Sequence, residues 1–239
     1  MEHFRRLFKL FLILCLLILS VTPPSAKAGE ILALAGAEGG AGDTENYYTY
    51  AGLVAPLFGD HLGNGLVQRY WADFLGYSYD SLQEIDAQGV GLEGALGYQI
   101  SGKAGWAALY AGLRYNNVWL SPEDPFNRNQ GENWWVKTQL EGELNLAERW
   151  KLGGIANYIF KAEAYWLRAR LLRGLEGGLS TGPELIHMGD PFYKAWQVGW
   201  ALTGFKPWEK SELGFKVGVR VTEGAGVNGL IGLEFAHLF

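Results

Sequence analysis

The sequence predicts an all-β protein, a transmembrane antiparallel up-and-down β-barrel of about 12 strands, with about ten as the alternative count. Three observations support this fold class: an N-terminal segment of the secretory type, long stretches in which apolar and polar residues alternate, and a last strand that ends in Phe239. Together they predict a chain that is exported to the outer membrane of a Gram-negative bacterium.

The N-terminus has the order of a cleavable signal peptide. Arg5 and Arg6 precede an apolar run at 10–21, and Ala26-Lys27-Ala28 provides small residues at a cleavage site. A run of about 12 apolar residues is short for a transmembrane helix, which needs roughly 20. We therefore expect residues 1–28 to be removed and residues 29–239 to form the barrel, with an uncleaved anchor as the alternative.

Composition excludes several classes of function. Cys15, the single cysteine of the chain, lies inside the apolar run, so the mature chain has no disulfide, thiolate metal site or cysteine nucleophile. Removal of residues 1–28 takes away four basic residues and one acidic residue, which changes the formal charge from −5 to −8. We expect no nucleic-acid partner for such an acidic chain. We also expect no cofactor and no metal, because phosphate-loop, zinc and calcium motifs are absent from the sequence.

Apolar and polar residues alternate with a period of two through long segments. Between Trp134 and Leu146 one parity is apolar, whereas the other carries Lys137, Glu141 and Glu143. This stretch is long for a strand of a soluble protein but suits a strand that crosses a bilayer at a tilt. The apolar faces also end in aromatic residues, as interfacial girdles require, which favours a barrel over a soluble β-sandwich.

Turn signals divide the mature chain into twelve segments. The predicted strands are 31–38, 46–57, 64–79, 88–101, 105–119, 133–146, 149–161, 164–175, 178–187, 192–205, 211–222 and 228–239. The first strand is short and rich in small residues, so a ten-stranded barrel remains open. An even number of strands places both chain ends on the periplasmic side, and the longest connection, 121–132, then faces outward.

The last strand also carries information about assembly. One of its faces consists of Ile231, Leu233, Phe235, His237 and Phe239. A terminal Phe with apolar residues at alternate positions resembles the signal that the barrel-assembly machinery recognises, so we expect that machinery and outer-membrane lipid as partners. In this register Glu234 faces the lumen, and His237 faces lipid near the inner rim.

The inward parity collects a nearly balanced set of charges. Isolated charges would be unfavourable inside the barrel, so we expect ion pairs across strands, with Arg168 and Arg170 facing Glu184 and either Glu141 or Glu143. The predicted lumen network consists of Arg69, Asp73, Glu93, Arg114, Lys137, Glu141, Glu143, Arg168, Arg170, Glu184, Lys216, Arg220 and Glu234, with Lys151 and Glu212 on the same parity. It either rigidifies the barrel and narrows its lumen or forms a lining that selects a polar solute such as a sugar.

Three tryptophans share the inward parity of the charges. They are Trp71, Trp135 and Trp166. Sugars stack on such rings through their C–H faces, so these residues are candidates for glucan contact. Packing of the lumen is the alternative role.

A lipid-modifying enzyme is the hypothesis from a different class, because some outer-membrane barrels activate a nucleophile with His and Ser on the lipid-facing wall. Of the histidines in the mature chain, His187 is the one expected near the outer rim. Leu185 and Pro183, rather than a serine, precede it on its face of the strand. We therefore expect no enzymatic activity and no catalytic residues.

Short motifs along the mature region carry a family resemblance. In order they are Tyr48-x-Tyr50-Ala51-Gly52, Gly59-Asp60 followed by Arg69, Gly76-Tyr77-Ser78-Tyr79-Asp80, Leu96-Gly97-Tyr98-Gln99, Ser121-Pro122-x-Asp124-Pro125-x-Asn127, Trp166-x-Arg168-x-Arg170 and Gly182-Pro183-Glu184. With these motifs in this order, the chain resembles the BcsS family of cellulose-biosynthesis proteins. Two positions depart from the family pattern: Asn64-Gly65-Leu66, where an aspartate and a tryptophan are expected, and Gln197, where an arginine is expected.

The resemblance implies an accessory role in bacterial cellulose production or export at the outer membrane. It implies cellulose or components of the cellulose-export machinery as partners, and it implies no catalytic residues. A polar lumen wall or an extracellular loop would guide or hold a glucan. A general small-solute porin and a structural barrel with a plugged lumen are the alternatives.

Overall fold

The computed structural model describes residues 29–41, 46–80, 83–127, 129–224 and 226–239. These residues form a closed barrel of antiparallel strands in which sequence neighbours pair and β1 pairs with β12. The strands are β1 (Leu32–Ala41), β2 (Tyr47–Pro56), β3 (Gly65–Asp80), β4 (Glu84–Gly102), β5 (Gly105–Ser121), β6 (Gly131–Ala147), β7 (Trp150–Ile159), β8 (Ala164–Gly174), β9 (Ser180–Gly189), β10 (Lys194–Phe205), β11 (Ser211–Thr222) and β12 (Gly226–Leu238). The predicted up-and-down barrel and the count of twelve are confirmed, and the uncertain first strand is part of the barrel.

Two further features complete the description of the elements. A short 3-10 turn, Glu176–Gly178, lies in the β8–β9 connection. Within the described residues no helix is long and apolar enough to span a bilayer. The predicted signal peptide, residues 1–28, lies outside the described residues and stays a prediction.

The two faces of the barrel wall differ as the period of two predicts. On β4, Leu92 and Leu96 point outward and are more than half exposed, whereas Glu93 between them is only 6% exposed. At one end of the apolar outer surface, the Tyr115 and Trp134 rings lie 5.1 Å apart between centroids, as in an interfacial aromatic girdle. The apolar surface therefore faces outward and the charged surface faces the lumen.

The strands β3–β6 run further than the apolar pattern indicates. β4 begins at Glu84 rather than at 88, and β6 begins at Gly131 rather than at 133. In the extended part, Ser78 Oγ donates to Asp86 Oδ1 over 2.7 Å between register partners on β3 and β4. The ladder continues there although the outward side chains have become polar, because backbone pairing does not need a lipid-facing residue.

The first and the last described residues of the barrel lie at one rim. The Phe239 amide donates to the Ile31 carbonyl over 2.9 Å, and the Glu30 amide donates to the Asp60 carbonyl in the β2–β3 turn over 2.7 Å. The Leu62 amide donates to the Glu30 carboxylate and lowers the pKa of that group. With an even number of strands, this rim is the periplasmic one.

The difference in length between extracellular loops and periplasmic turns is smaller than the sequence predicts, so it supports this orientation only weakly. The longest connection, the β5–β6 loop at 122–130, lies at the opposite, extracellular rim, but the periplasmic β2–β3 turn at 57–64 is almost as long. The polar extensions of β3–β6 lie on the extracellular side and agree with the assignment from the chain ends.

Large lumen side chains lie flat over glycines of the neighbouring strand. A methyl group built on Gly36 would overlap the Tyr50 ring, and one built on Gly52 would overlap the Trp71 ring. Both glycines face the lumen directly beside these aromatic residues in the register. Glycine therefore makes room for rings that fill the interior, and the lumen is narrower than the number of strands would suggest.

Substitution of Gly52 by Ala should destabilise the barrel. The added methyl group must displace the Trp71 ring, and forced repacking of this kind costs about 1–3 kcal/mol. Urea unfolding of the detergent-solubilised barrel measures the change. Gly94→Ala is the matched control, because a Cβ at Gly94 would have no neighbour within 4 Å. Equal stability of the two variants would contradict the packing described here.

Candidate functional site

The first group of lumen charges, here called the β3–β6 cluster, consists of Arg69, Asp73, Glu93, Arg114 and Lys137. Arg114 binds Asp73 through two hydrogen bonds of 2.7 and 2.8 Å, and Lys137 Nζ lies 2.6 Å from Glu93 Oε2. Arg69 Nη1 lies 3.2 Å from Glu93 Oε1 as an ion pair without hydrogen-bond geometry. The Arg114–Asp73 and Lys137–Glu93 pairs each join strands that are not neighbours, so these side chains reach across the interior.

The second group, here called the β8–β12 cluster, involves β1, β8, β9, β11 and β12. Its members are Glu38, Arg168, Arg170, Glu184, Lys216, Arg220 and Glu234. Together with the β3–β6 cluster it contains seven basic and five acidic side chains among the described residues. The two clusters thus hold a small positive excess, and Glu141, Glu143 and Glu212 on the same parity, with Lys151, bring the described lumen charges to balance.

Glu234 joins parts of the wall that are a third of the ring apart. Arg168 Nη1 donates to Glu234 Oε1 over 2.9 Å, and Arg170 Nη1 donates to Glu234 Oε2 over 3.0 Å. Arg170 Nε also donates to Glu184 Oε2 over 2.7 Å. Since β8 and β12 are four strands apart in a ring of twelve, these bonds span the lumen rather than a pair of neighbouring strands.

Glu38 on β1 is the anion that the sequence reasoning missed. Lys216 Nζ lies 2.5 Å from Glu38 Oε2, Arg220 forms an ion pair with the other carboxylate oxygen, and Gln197 Nε2 donates to that oxygen over 2.8 Å. Its inward parity could have been found by extending the alternation into the first strand. The small residues of that strand hid the pattern.

The expected partners of the β8 arginines were partly wrong. Arg170 does pair with Glu184, but Glu234 occupies the place that was assigned to Glu141 or Glu143. Glu141 accepts a hydrogen bond from Gln139, and Glu143 pairs with Lys151, whose side chain is half exposed. Parity tells which face a side chain occupies, but it does not tell which distant strand lies across the lumen. The last charge of that parity, Glu212, accepts a hydrogen bond from the Gly204 amide over 3.1 Å.

The three candidate sugar-stacking residues differ in their surroundings. Trp71 stacks on Tyr50 with 4.6 Å between ring centroids, and the Arg69 guanidinium lies 4.4 Å from the Trp71 centroid. Trp135 is only 7% exposed. Trp166 is partly exposed, with the Arg168 guanidinium 5.7 Å from its ring. Trp71 and Trp135 therefore serve the packing of the lumen, and sugar stacking stays a prediction for all three.

The outer wall carries two histidine contacts. His187 stacks on Trp196 at 3.8 Å and lies 3.1 Å from the Tyr165 hydroxyl. At the periplasmic end, Ser211 Oγ lies 2.7 Å from His237 Nδ1, between register partners on neighbouring strands. The sequence reasoning sought a serine along the strand of the histidine and did not find this pair across strands.

The Ser211–His237 pair lacks the rest of a nucleophile site. Within the described ranges, no carboxylate binds the second ring nitrogen of His237 to orient the ring as a general base requires. In the same part of the chain, no three His, Cys, Asp or Glu side chains are arranged to hold a metal ion.

Comparison with known proteins gives a family and a fold. The family profile described as "Cellulose biosynthesis protein BcsS" matches residues 39–238. None of the curated proteins matches the chain.

Solved structures of outer-membrane barrels resemble the chain in fold. The COG4313 outer membrane channel from Pseudomonas putida F1 has a TM-score of 0.58 at 16% identity, over 91% of this chain and 100% of that one. The transport unit of the autotransporter AIDA-I from Escherichia coli has a TM-score of 0.54 at 9% identity, over 92% and 93%. The beta domain of the Bordetella autotransporter BrkA has a TM-score of 0.52 at 11% identity, over 89% and 100%. At these identities the likeness concerns the fold.

Substitution of Glu234 by Gln should strongly destabilise the barrel. The neutral amide leaves Arg168 and Arg170 without their shared anion, and loss of one partner from this partly buried bridge should cost about 1–3 kcal/mol, between the values for exposed and for fully buried pairs. Urea unfolding in detergent micelles tests this prediction. Glu143→Gln is the control, because its pair with Lys151 is partly exposed and is worth less than about 1 kcal/mol. Similar losses in the two variants would show that the bridge has no special role.

Proposed function

The chain belongs to the BcsS family of cellulose biosynthesis proteins, and from this premise we propose that it assists cellulose secretion as a non-catalytic barrel whose lumen does not conduct the polymer. Its fold and its family make it an outer-membrane barrel protein related to cellulose biosynthesis. The observation that carries the proposal is the bridge from Arg168 and Arg170 to Glu234, which spans the lumen.

Passage of a glucan chain would require this bridge to open. A neutral polymer offers hydroxyl groups but no charge that could replace Glu234 beside two arginines. Separation of buried ionic partners is unfavourable by several kcal/mol, and the Tyr50–Trp71 stack adds an apolar obstruction from β2 and β3. These contacts support a barrel that acts beside the export pore, through its rims and its outer wall.

The expected partners follow from this position. The outward apolar side chains contact outer-membrane lipid, and the strand that ends in Phe239 is the segment that the assembly machinery would recognise. Cellulose or components of its export machinery would meet the protein at a rim. The charges of the two clusters maintain the shape of the wall that carries those rims.

A small-solute channel is the second candidate function, and one observation favours it. The Arg168 and Glu234 side chains are 20% and 22% exposed, so water reaches the bridge. Water and small ions could pass beside it where a polymer could not. A conductance measurement separates this candidate from a closed barrel.

Replacement of two of the three bridge residues, in the double variant Arg168→Ala/Glu234→Ala, should raise single-channel conductance in planar bilayers well above that of the wild type. The two truncations remove the shared anion and one of its arginines, while Arg170 keeps its hydrogen bond to Glu184 on the neighbouring strand. Lys151→Ala with Glu143→Ala removes an equivalent pair at the periplasmic rim and should leave conductance unchanged. A large wild-type current that cellohexaose blocks would instead identify the lumen as the glucan path and overturn the proposal.

Deletion of the gene should lower the amount of secreted cellulose while other exported polymers remain unchanged. Complementation with His187→Ala or Ser211→Ala should restore cellulose fully and leave the lipid A and phospholipid profiles as in the wild type. Quantification of cellulose and mass spectrometry of lipids measure the two outcomes. A lipid profile that changes with either variant would contradict the non-catalytic role.

A further inference from the structure

The extracellular rim contains the same tripeptide twice. Asp124-Pro125-Phe126 lies in the β5–β6 loop, and Asp190-Pro191-Phe192 lies in the β9–β10 connection. In each copy the aspartate Oδ1 accepts a hydrogen bond from the phenylalanine amide two residues later, over 3.0 Å in the first and 2.8 Å in the second. Proline restricts the backbone between the two residues, so both turns hold their phenylalanine in the same preorganised way.

Hydrogen bonds tie the two turns into a strap over the mouth of the barrel. The Tyr79 hydroxyl donates to Asp124 Oδ2 over 2.9 Å and accepts from Asn127 Nδ2 over 3.0 Å. Asn129 Nδ2 in turn donates to Asp190 Oδ2 over 3.4 Å. Tyr79 is on β3, and Asp190 follows β9, which is six strands away in the ring of twelve. The strap therefore connects opposite sides of the extracellular mouth.

In the strap a polar side chain is buried and two apolar side chains are exposed, which is the reverse of the usual arrangement. Asp124 is 7% exposed, whereas Phe126 and Phe192 are 78% and 72% exposed. Tyr79 has the lumen parity of Arg69 and Asp73, so the anchored turn lies over the lumen rather than against lipid. Large apolar rings that ordered turns present to water indicate a binding surface.

We propose that these two Asp-Pro-Phe turns form a binding site for an uncharged β-glucan chain at the extracellular mouth. The identity of the ligand rests on the proposed function in cellulose secretion. The carboxylates of Asp124 and Asp190 already accept hydrogen bonds from the turns and the strap, and the exposed surface of the two turns is that of Phe126 and Phe192, which suits an uncharged ligand. Aromatic faces are negative and attract the C–H groups on the flat faces of pyranose rings.

The site deepens the accessory role described above. A chain that emerges from a neighbouring export pore would meet Phe126 and Phe192 on a rigid strap, without entering the lumen. A strap that is already ordered loses little conformational entropy on binding, which favours capture of a stiff polymer.

The test uses the purified full-length barrel. A double variant that carries both Phe126→Ala and Phe192→Ala is compared with the single variant Phe58→Ala. Phe58 is 76% exposed in the β2–β3 turn at the periplasmic rim and is the matched control. Calorimetric titration with cellohexaose and co-sedimentation with microcrystalline cellulose measure binding. We expect the double variant to bind about tenfold more weakly or worse, since each ring contributes a factor of a few, and Phe58→Ala to bind as the wild type does.

Folding of each variant is checked by the shift in gel mobility between heated and unheated barrel. Equal binding by the wild type and a folded double variant, or no binding by the wild type, would overturn the site. Phenylalanine-dependent capture of a secretion protein without any affinity for the two sugars would overturn the glucan assignment. Normal cellulose secretion after gene deletion, with sugar binding intact, would instead reject the proposed function and leave the site standing.

Discussion

A charged side chain that points into a barrel lumen needs a partner of opposite sign, and much of this structure follows from that requirement. The ion pairs with Glu93, Glu38 and Glu234 connect strands that do not touch through their backbones. Backbone hydrogen bonds join each strand only to its two neighbours. These ion pairs add direct side-chain contacts between strands that are further apart in the ring. The shape of the lumen depends on these pairs, and so does the closed lumen of the proposed function.

Close packing of large side chains inside the barrel depends on glycines in the neighbouring strands. Rings such as Tyr50 and Trp71 lie over Gly36 and Gly52 of the adjacent strands, and the Arg114 guanidinium lies over Gly91 in the same way. A barrel of this strand number could enclose an open lumen. Here large side chains extend along the inner face of the wall, because the glycine beside each of them has no Cβ in the way. The bridging charges extend into the same space.

The functional features consequently concentrate at the ends and the outer surface of the barrel. At the extracellular rim the strap carries two phenylalanines, whereas at the periplasmic rim Glu30 bonds to Asp60 in the β2–β3 turn and Phe239 bonds to Ile31. In the proposed function, the extracellular surface holds an extended neutral polymer, which need not cross the ion pairs of the lumen. A rigid wall between the two rims suits an accessory protein that works beside a separate export pore.

The alternation along the chain shows which residues face lipid and which face the lumen, because side chains alternate along a strand whatever its partners are. It therefore predicted the barrel, most strand bounds to within two residues, and the inward direction of residues such as Arg170 and Glu184. It did not reveal that Glu234 lies opposite Arg168, that Glu38 completes the charge set, or that the two Asp-Pro-Phe turns meet. Those contacts depend on ring closure, which brings together residues far apart in the chain by the curvature and stagger of the whole sheet. No local pattern encodes that geometry, so the pairing of the charges and the contact between the loops follow from the tertiary structure.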